Sequence, residues 1–171
     1  MKTARLKQIR KLVKSLEKVG YRAPFNILAD HNFLSTYNNS QMSLDVLEKL
    51  LNGKIRICTT LCEYKRYTEL VKDKKLIGYV ALKKCTHKDE FRTRECLTEM
   101  VGENNPHHYF LGISPKHKQI KEELKIPIIF MRSGVLCLEI GDISAKEIEK
   151  KTESTGLSDK ERKRLDELFN E

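Results

Sequence analysis

Cys85, His87 and Cys96 place two thiols and an imidazole within twelve residues of a charged stretch that has little apolar content of its own. Thiolate sulfur and imidazole nitrogen are preferred zinc donors, and a closed structural site needs four of them. Cys62, just past a strand-like run, is the best fourth candidate, with Cys58, His107 and His108 as alternatives. The competing reading is two buried cysteines and a surface histidine, because unligated cysteine is among the most buried residue types. A Cys–His nucleophile pair ranks below both, since Cys-x-His spacing in a loop provides neither an orienting third group nor a pocket. Cys137 falls inside a strand pattern and reads as core. Five cysteines are an odd number, which argues against a disulfide framework.

Carboxylates are the second chemical group. Asp30 ends the short apolar run Phe25-Asn26-Ile27-Leu28-Ala29, and in a parallel sheet the groups at the carboxyl ends of strands converge on one crevice. A metal-dependent nuclease would gather three or four carboxylates there around magnesium or manganese. Glu95, at a helix start, can join Asp30. The helix after the second strand offers Glu63 and Glu69, while the run ending at Ile113 leads into Ser114-Pro115-Lys116-His117 with no acid. That count is low for a cation site, and Asp30 reads equally well as a structural cap.

The positioning elements alternate. Apolar residues at helical spacing predict a helix over residues 3–19, with Leu6, Ile9, Leu12, Val13 and Leu16 on its packed side. After the strand ending at Ala29, Ser43 caps a helix through residue 51 that Gly53 stops. A strand over 55–59 leads into a helix over 60–71, and a further helix is expected over 76–84. Residues 85–94 show no periodicity, a helix resumes over 95–101, and Glu103-Asn104-Asn105-Pro106 signals a turn. A strand over 109–113, a Lys-rich helix to residue 124, and strands over 126–131 and 135–140 follow. Strands alternating with helices predict an α/β fold with a mainly parallel sheet covered on both faces. Ser158-Asp159-Lys160-Glu161 is a capping box for a terminal helix carrying Leu165, Leu168 and Phe169.

With 171 residues, 39% of them hydrophobic, the chain has enough apolar content for one substantial core. Lys and Arg total 33 against 24 Asp and Glu, a net charge of +9 that favours a polyanionic partner over a small-molecule substrate. From residue 142 onward seven basic residues face nine acids, so the positive field belongs to what precedes. It concentrates in Arg5, Lys7, Arg10, Lys11, Lys14, Lys18 and Arg22, and again in Lys83, Lys84, Lys88, Arg92 and Arg94 beside the Cys85 loop. These twelve are the candidate RNA-binding residues. No apolar run approaches the roughly 20 residues that span a bilayer, and the N-terminus lacks the apolar core of a signal peptide. A soluble intracellular protein without a membrane partner is expected.

Six short motifs occur in order: Arg22-x-Pro24 leading into Leu28-Ala29-Asp30, then Thr60-x-Cys62, Cys85-Thr86-His87-Lys88, Glu95-Cys96-Leu97, Asn105-Pro106-His107-His108-Tyr109-Phe110 and Ile126-Pro127-Ile128-Ile129-Phe130. Over residues 5–140 the chain resembles the PIN-domain ribosome-biogenesis family of FCF-one and UTP-twenty-three, and is closer to the latter. The resemblance implies a three-layer α/β/α PIN-like domain with an integral structural zinc site of Cys62, Cys85, His87 and Cys96. It implies a nucleolar factor of the small-subunit processome, in the nucleus, contacting pre-rRNA or a small nucleolar RNA and processome proteins.

Set against the family's nuclease, the position four residues past Cys62, where a catalytic Glu is expected, holds Arg66. Pro115 and His117 stand where further acids belong. Only Asp30 and Glu95 match, as remnants of the acidic quartet, so the expectation is a non-catalytic RNA-binding protein, with an active metal-dependent endoribonuclease as the alternative. The expected organisation is a basic helical arm over 1–22, the PIN-like domain over 23–141 with a zinc loop at about 85–96, and a charged helical tail over 142–171. The mixed charge of that tail departs from the Lys-rich extension usual in the family.

Overall fold

The computed structural model describes residues 3–73, 75–85, 87 and 93–141, together with helical backbone at residues 146 and 150. In chain order the elements are α1 (Thr3–Lys18), β1 (Phe25–Ala29), α2 (His31–Asn39), α3 (Leu44–Leu51), β2 (Ile55–Thr60), α4 (Leu61–Leu70), β3 (Val80–Lys83), α5 (Thr93–Val101), β4 (Phe110–Gly112), α6 (Ile120–Glu123), β5 (Ile128–Arg132) and β6 (Val135–Glu139). Short 3-10 turns occupy Ile77–Tyr79 and Pro115–His117. The six strands form one sheet in the order β3-β2-β1-β4-β5-β6. All neighbours are parallel except the β5–β6 hairpin. The expected α/β class is therefore the observed one.

Alternation along the strands divides the core. Phe25, Ile27 and Ala29 of β1 and Ile129 and Met131 of β5 face one side, where they meet Ile9, Val13 and Leu16 of α1, Phe33, Leu34 and Tyr37 of α2, Leu47, Leu50 and Leu51 of α3, and Tyr67 of α4. Leu28, Leu111, Ile128 and Phe130 face the other side, against Leu97 and Val101 of α5 and Ile120 of α6. Successive strand residues point to opposite faces, so a sheet with helices on both sides buries nearly continuous apolar runs. The result is three layers, with α1 built into the first core.

Two local expectations give way, and one helix is unforeseen. Residues 80–83 form the edge strand β3, not part of a helix: helical backbone is confined to the 3-10 turn Ile77–Tyr79, Val80 is extended, and Val80 to Lys83 pair in register with Ile57 to Thr60 of β2. β3 buries little of itself, with Ala81 and Leu82 exposed, so its apolar residues mimic the stripe of an amphipathic helix. α2, rich in Asn, Ser and Thr, lacks propensity but has the Asp30 side chain as its N-cap and buries Phe33, Leu34 and Tyr37. The helix expected up to residue 124 is reduced to a 3-10 turn opened by Pro115 and the four residues of α6. The capping box at 158–161, the stripe of Leu165, Leu168 and Phe169, and the side chains of Lys88, Arg92 and Arg94 lie outside the described residues.

Gly112 of β4 faces the Phe33 ring of α2. A Cβ added there would sit 2.9 Å from the buried Phe33 ring, so overpacking is expected to make Gly112→Ala destabilising by roughly 1–3 kcal/mol. A urea titration reads this as a lower midpoint at unchanged slope; an unchanged midpoint would mean that Phe33 moves aside freely.

Candidate metal centre and buried acidic pair

The parallel register sets Thr60 opposite Lys83, so the segments leaving β2 and β3 start side by side. Cys62 follows in the first turn of α4 and Cys85 two residues past β3, and their Sγ atoms lie 3.4 Å apart. His87 Nδ1 is 3.9 Å from Cys62 Sγ. Cys96, in α5 and fully buried, donates to Thr60 Oγ1 at 3.1 Å. The four donor atoms all lie within 4.8 Å of one another; tetrahedral zinc, with metal–sulfur bonds of about 2.3 Å, holds its sulfurs about 3.8 Å apart. The alternative donors sit elsewhere. Cys58 is buried with its thiol on the Ile27 carbonyl, His107 is exposed, and His108 packs edge-on against Tyr21.

Protonation of the cluster follows from crowding. Burial pushes the Cys85 thiol up, but hydrogen bonds from the Cys62 amide, from the Cys62 and Cys96 side chains and from His87 outweigh it and bring the group down to about 7. Burial pushes Cys96 up to about 12, opposed by Thr60 and reinforced by the charge of Cys85 and Cys62. Burial, then the hydrogen bond with Cys85, also raises Cys62. One thiolate is thus accommodated near neutral pH and the next two are resisted, which is the behaviour of a donor set that requires a cation to ionise fully. The residues fit a soft divalent metal.

A buried acidic pair, Asp30 and Glu63, lies beside this cluster. Asp30 is fully buried; Oδ1 accepts the Phe33 amide at 2.5 Å and Oδ2 the Ser114 amide at 3.2 Å. Glu63, also fully buried, accepts from His31 Nδ1 at 2.6 Å and from the His31 amide at 3.0 Å through Oε2, and pairs with Arg66 at 3.1 Å through Oε1. The acid that accompanies Asp30 is therefore Glu63, whereas Glu95 is exposed in the first turn of α5. A sequence signal existed: Thr60-Leu61-Cys62-Glu63 has capping-box spacing, and Thr60 Oγ1 does accept the Glu63 amide at 3.3 Å. Arg66 is the ion-pair partner of Glu63, so its positive charge is already met by a buried carboxylate.

Of the candidate RNA-binding residues, Arg5, Lys7, Arg10, Lys11, Lys14 and Lys18 are exposed along α1, and Arg22 is exposed just after it. Arg5 reaches back to donate to Cys137 Sγ at 2.7 Å. Lys83 is half-buried on β3 and Lys84 exposed next to it, one residue before Cys85.

A family model named Fcf1 matches residues 49–140, more than half of the chain. A solved structure of the PIN domain endonuclease Utp24 is similar at a TM-score of 0.52, covering 72% of this chain and 100% of that chain at 19% sequence identity. The likeness gives the chain a PIN-like fold. It also corrects the expectation that the protein is not an enzyme: the shared fold is one that an endonuclease uses. The carboxylate count behind that expectation had not set Glu63 beside Asp30.

Burial pushes Asp30 up from the usual 3.8 to about 6, against the Phe33 and Ser114 amides, with the charge of Glu63 adding to the rise and His31 opposing it. Burial raises Glu63 too, but the hydrogen bonds from His31 and the charges of His31 and Arg66 leave it below its ordinary value. A carboxyl raised in the fold contributes stability that is full below its unfolded value and is lost as pH rises through about 6. Carbon-13 titration of the Asp30 carboxyl is expected to give a midpoint near 6, with Glu63 titrating lower. A midpoint for Asp30 at or below that of Glu63 would contradict this ordering.

Proposed function

Because this chain belongs to the Fcf1 family, we propose that it is an RNA-binding factor of rRNA processing in small-subunit ribosome biogenesis. In this reading it acts in the nucleolus on pre-rRNA or a small nucleolar RNA, beside protein components of the small-subunit processome. Its zinc is structural, held by Cys62, Cys85, His87 and Cys96, and supplies a cross-link that fastens the segment after β3 to α4 and α5. The observation that carries the reading is the exposed basic face of α1. Lys7, Arg10, Lys11, Lys14 and Lys18 face outward while Ile9, Val13 and Leu16 anchor the helix in the core, so the charge is held on a rigid support. Lys83 and Lys84 extend the proposed contact toward Cys85, and Lys88, Arg92 and Arg94 are proposed with them from their positions in the sequence.

Phosphate contacts release counterions, so log affinity should fall linearly with log salt, by about 0.7 per neutralised phosphate on single-stranded RNA. Replacing Lys7, Arg10, Lys11 and Lys14 together by Gln is expected to weaken binding to every RNA and flatten that slope, because such contacts position without reading sequence. Filter binding across a salt series checks it; unchanged affinity and slope would make α1 a packing element only.

A second reading, a metal-dependent endoribonuclease, is favoured by the two buried carboxylates, Asp30 and Glu63, at the carboxyl ends of the strands. Under it, clean protein should cut single-stranded RNA in magnesium or manganese, and Asp30→Asn should abolish the cutting. No cutting, or cutting that survives Asp30→Asn, would remove this second reading.

A further inference from the structure

We infer that Glu99 is a positioning residue for the proposed zinc centre, fixing His87 so that Nδ1 is the nitrogen presented to the metal. The inference rests on the zinc reading above and adds a residue and an atom to it. A neutral imidazole carries one N–H, and the partner of that N–H decides which nitrogen keeps a lone pair for a metal. His87 Nε2 is in hydrogen-bond contact with the Glu99 carboxylate, and an ionised carboxylate only accepts. Nε2 is therefore the protonated nitrogen. Nδ1 is the atom left to the sulfurs, 3.9 Å from Cys62 Sγ.

The sequence arrangement makes this economical. Glu99 follows Cys96 by three residues on α5, and residues three apart share a helix face. One turn of α5 thus provides a sulfur donor and the carboxylate that aims the nitrogen donor. The His87 side chain is 5% exposed and that of Glu99 58%, so the carboxylate approaches the ring from the solvent side, outside the donor set. Carboxylates placed behind ligating histidines orient the ring and raise its basicity, and their loss commonly costs about 10–100-fold in metal affinity. The competing account is an ordinary surface ion pair, which contributes little.

The test compares wild-type, Glu99→Gln and Glu99→Leu proteins by zinc competition against a chromophoric chelator. Long-range proton–nitrogen-15 spectra of the zinc-loaded wild type report the state of His87. Expected are a loss of about 10–100-fold in zinc affinity for Glu99→Leu, a smaller loss for Glu99→Gln, and a His87 ring with Nδ1 metal-bound and Nε2 protonated. Metal-free Glu99→Leu should melt with metal-free wild type, because the effect runs through the metal. Zinc affinity unchanged in Glu99→Leu, ligation through Nε2, or an equal drop in metal-free stability overturns the inference and leaves the zinc reading standing. Wild-type protein that takes up no zinc removes both. If Glu99→Leu fails to fold, the wild-type spectra decide alone.

Discussion

Two carboxylates without solvent exposure, Asp30 and Glu63, have to be satisfied inside the protein, and satisfying them ties the carboxyl end of the sheet together. Burying an unpaired charge costs several kcal/mol, so such groups persist only with good partners. Asp30 joins β1 to the start of α2 and, through Ser114, to the segment after β4. Glu63 joins α4 to the same start of α2 through His31. The junction reaches the Cys/His cluster through Thr60, whose Oγ1 accepts both the Glu63 amide and the Cys96 thiol. The acidic pair and the cluster are two sides of one hydrogen-bonded network.

That shared network gives the cluster a rigid reference. Cys62 and Cys96 are held by helices already fixed to the sheet, while Cys85 and His87 lie on the segment leaving the edge strand β3. A metal joining the two pairs would hold this segment, and the Lys83 and Lys84 charges at its start, against the body of the domain. At α1 the same aim is met differently, with apolar residues anchoring the helix and leaving its cations outward.

The parallel sheet is legible in the sequence because its inner strands, such as Ile27-Leu28-Ala29 and Ile128-Ile129-Phe130, are buried on both faces and read as unbroken apolar runs. β3 is not legible, because an exposed edge strand with Leu82 outward and Val80 half-buried satisfies helical spacing as well as strand spacing. α2 escapes because its stability comes from one cap and three buried apolar side chains, with little help from propensity. The donor set is readable as residue types, yet the reason Cys62 meets Cys85 is the β2–β3 register, invisible while residues 80–83 read as helix. Glu63 is readable only as the third position of a capped helix; its contact with His31 depends on α2, itself unforeseen. Glu99 has no signal at all without the placement of His87, which sits in an aperiodic stretch.

In the proposed function, RNA lies along the basic face of α1 and the lysines beside the Cys/His cluster. Ultraviolet crosslinking of the protein to single-stranded RNA, with adducts mapped to residues by mass spectrometry, tests it most directly. Adducts concentrated on the exposed side of residues 5–22 and around residues 83–88 are the predicted result. Adducts absent from both segments while the RNA remains bound elsewhere would contradict it.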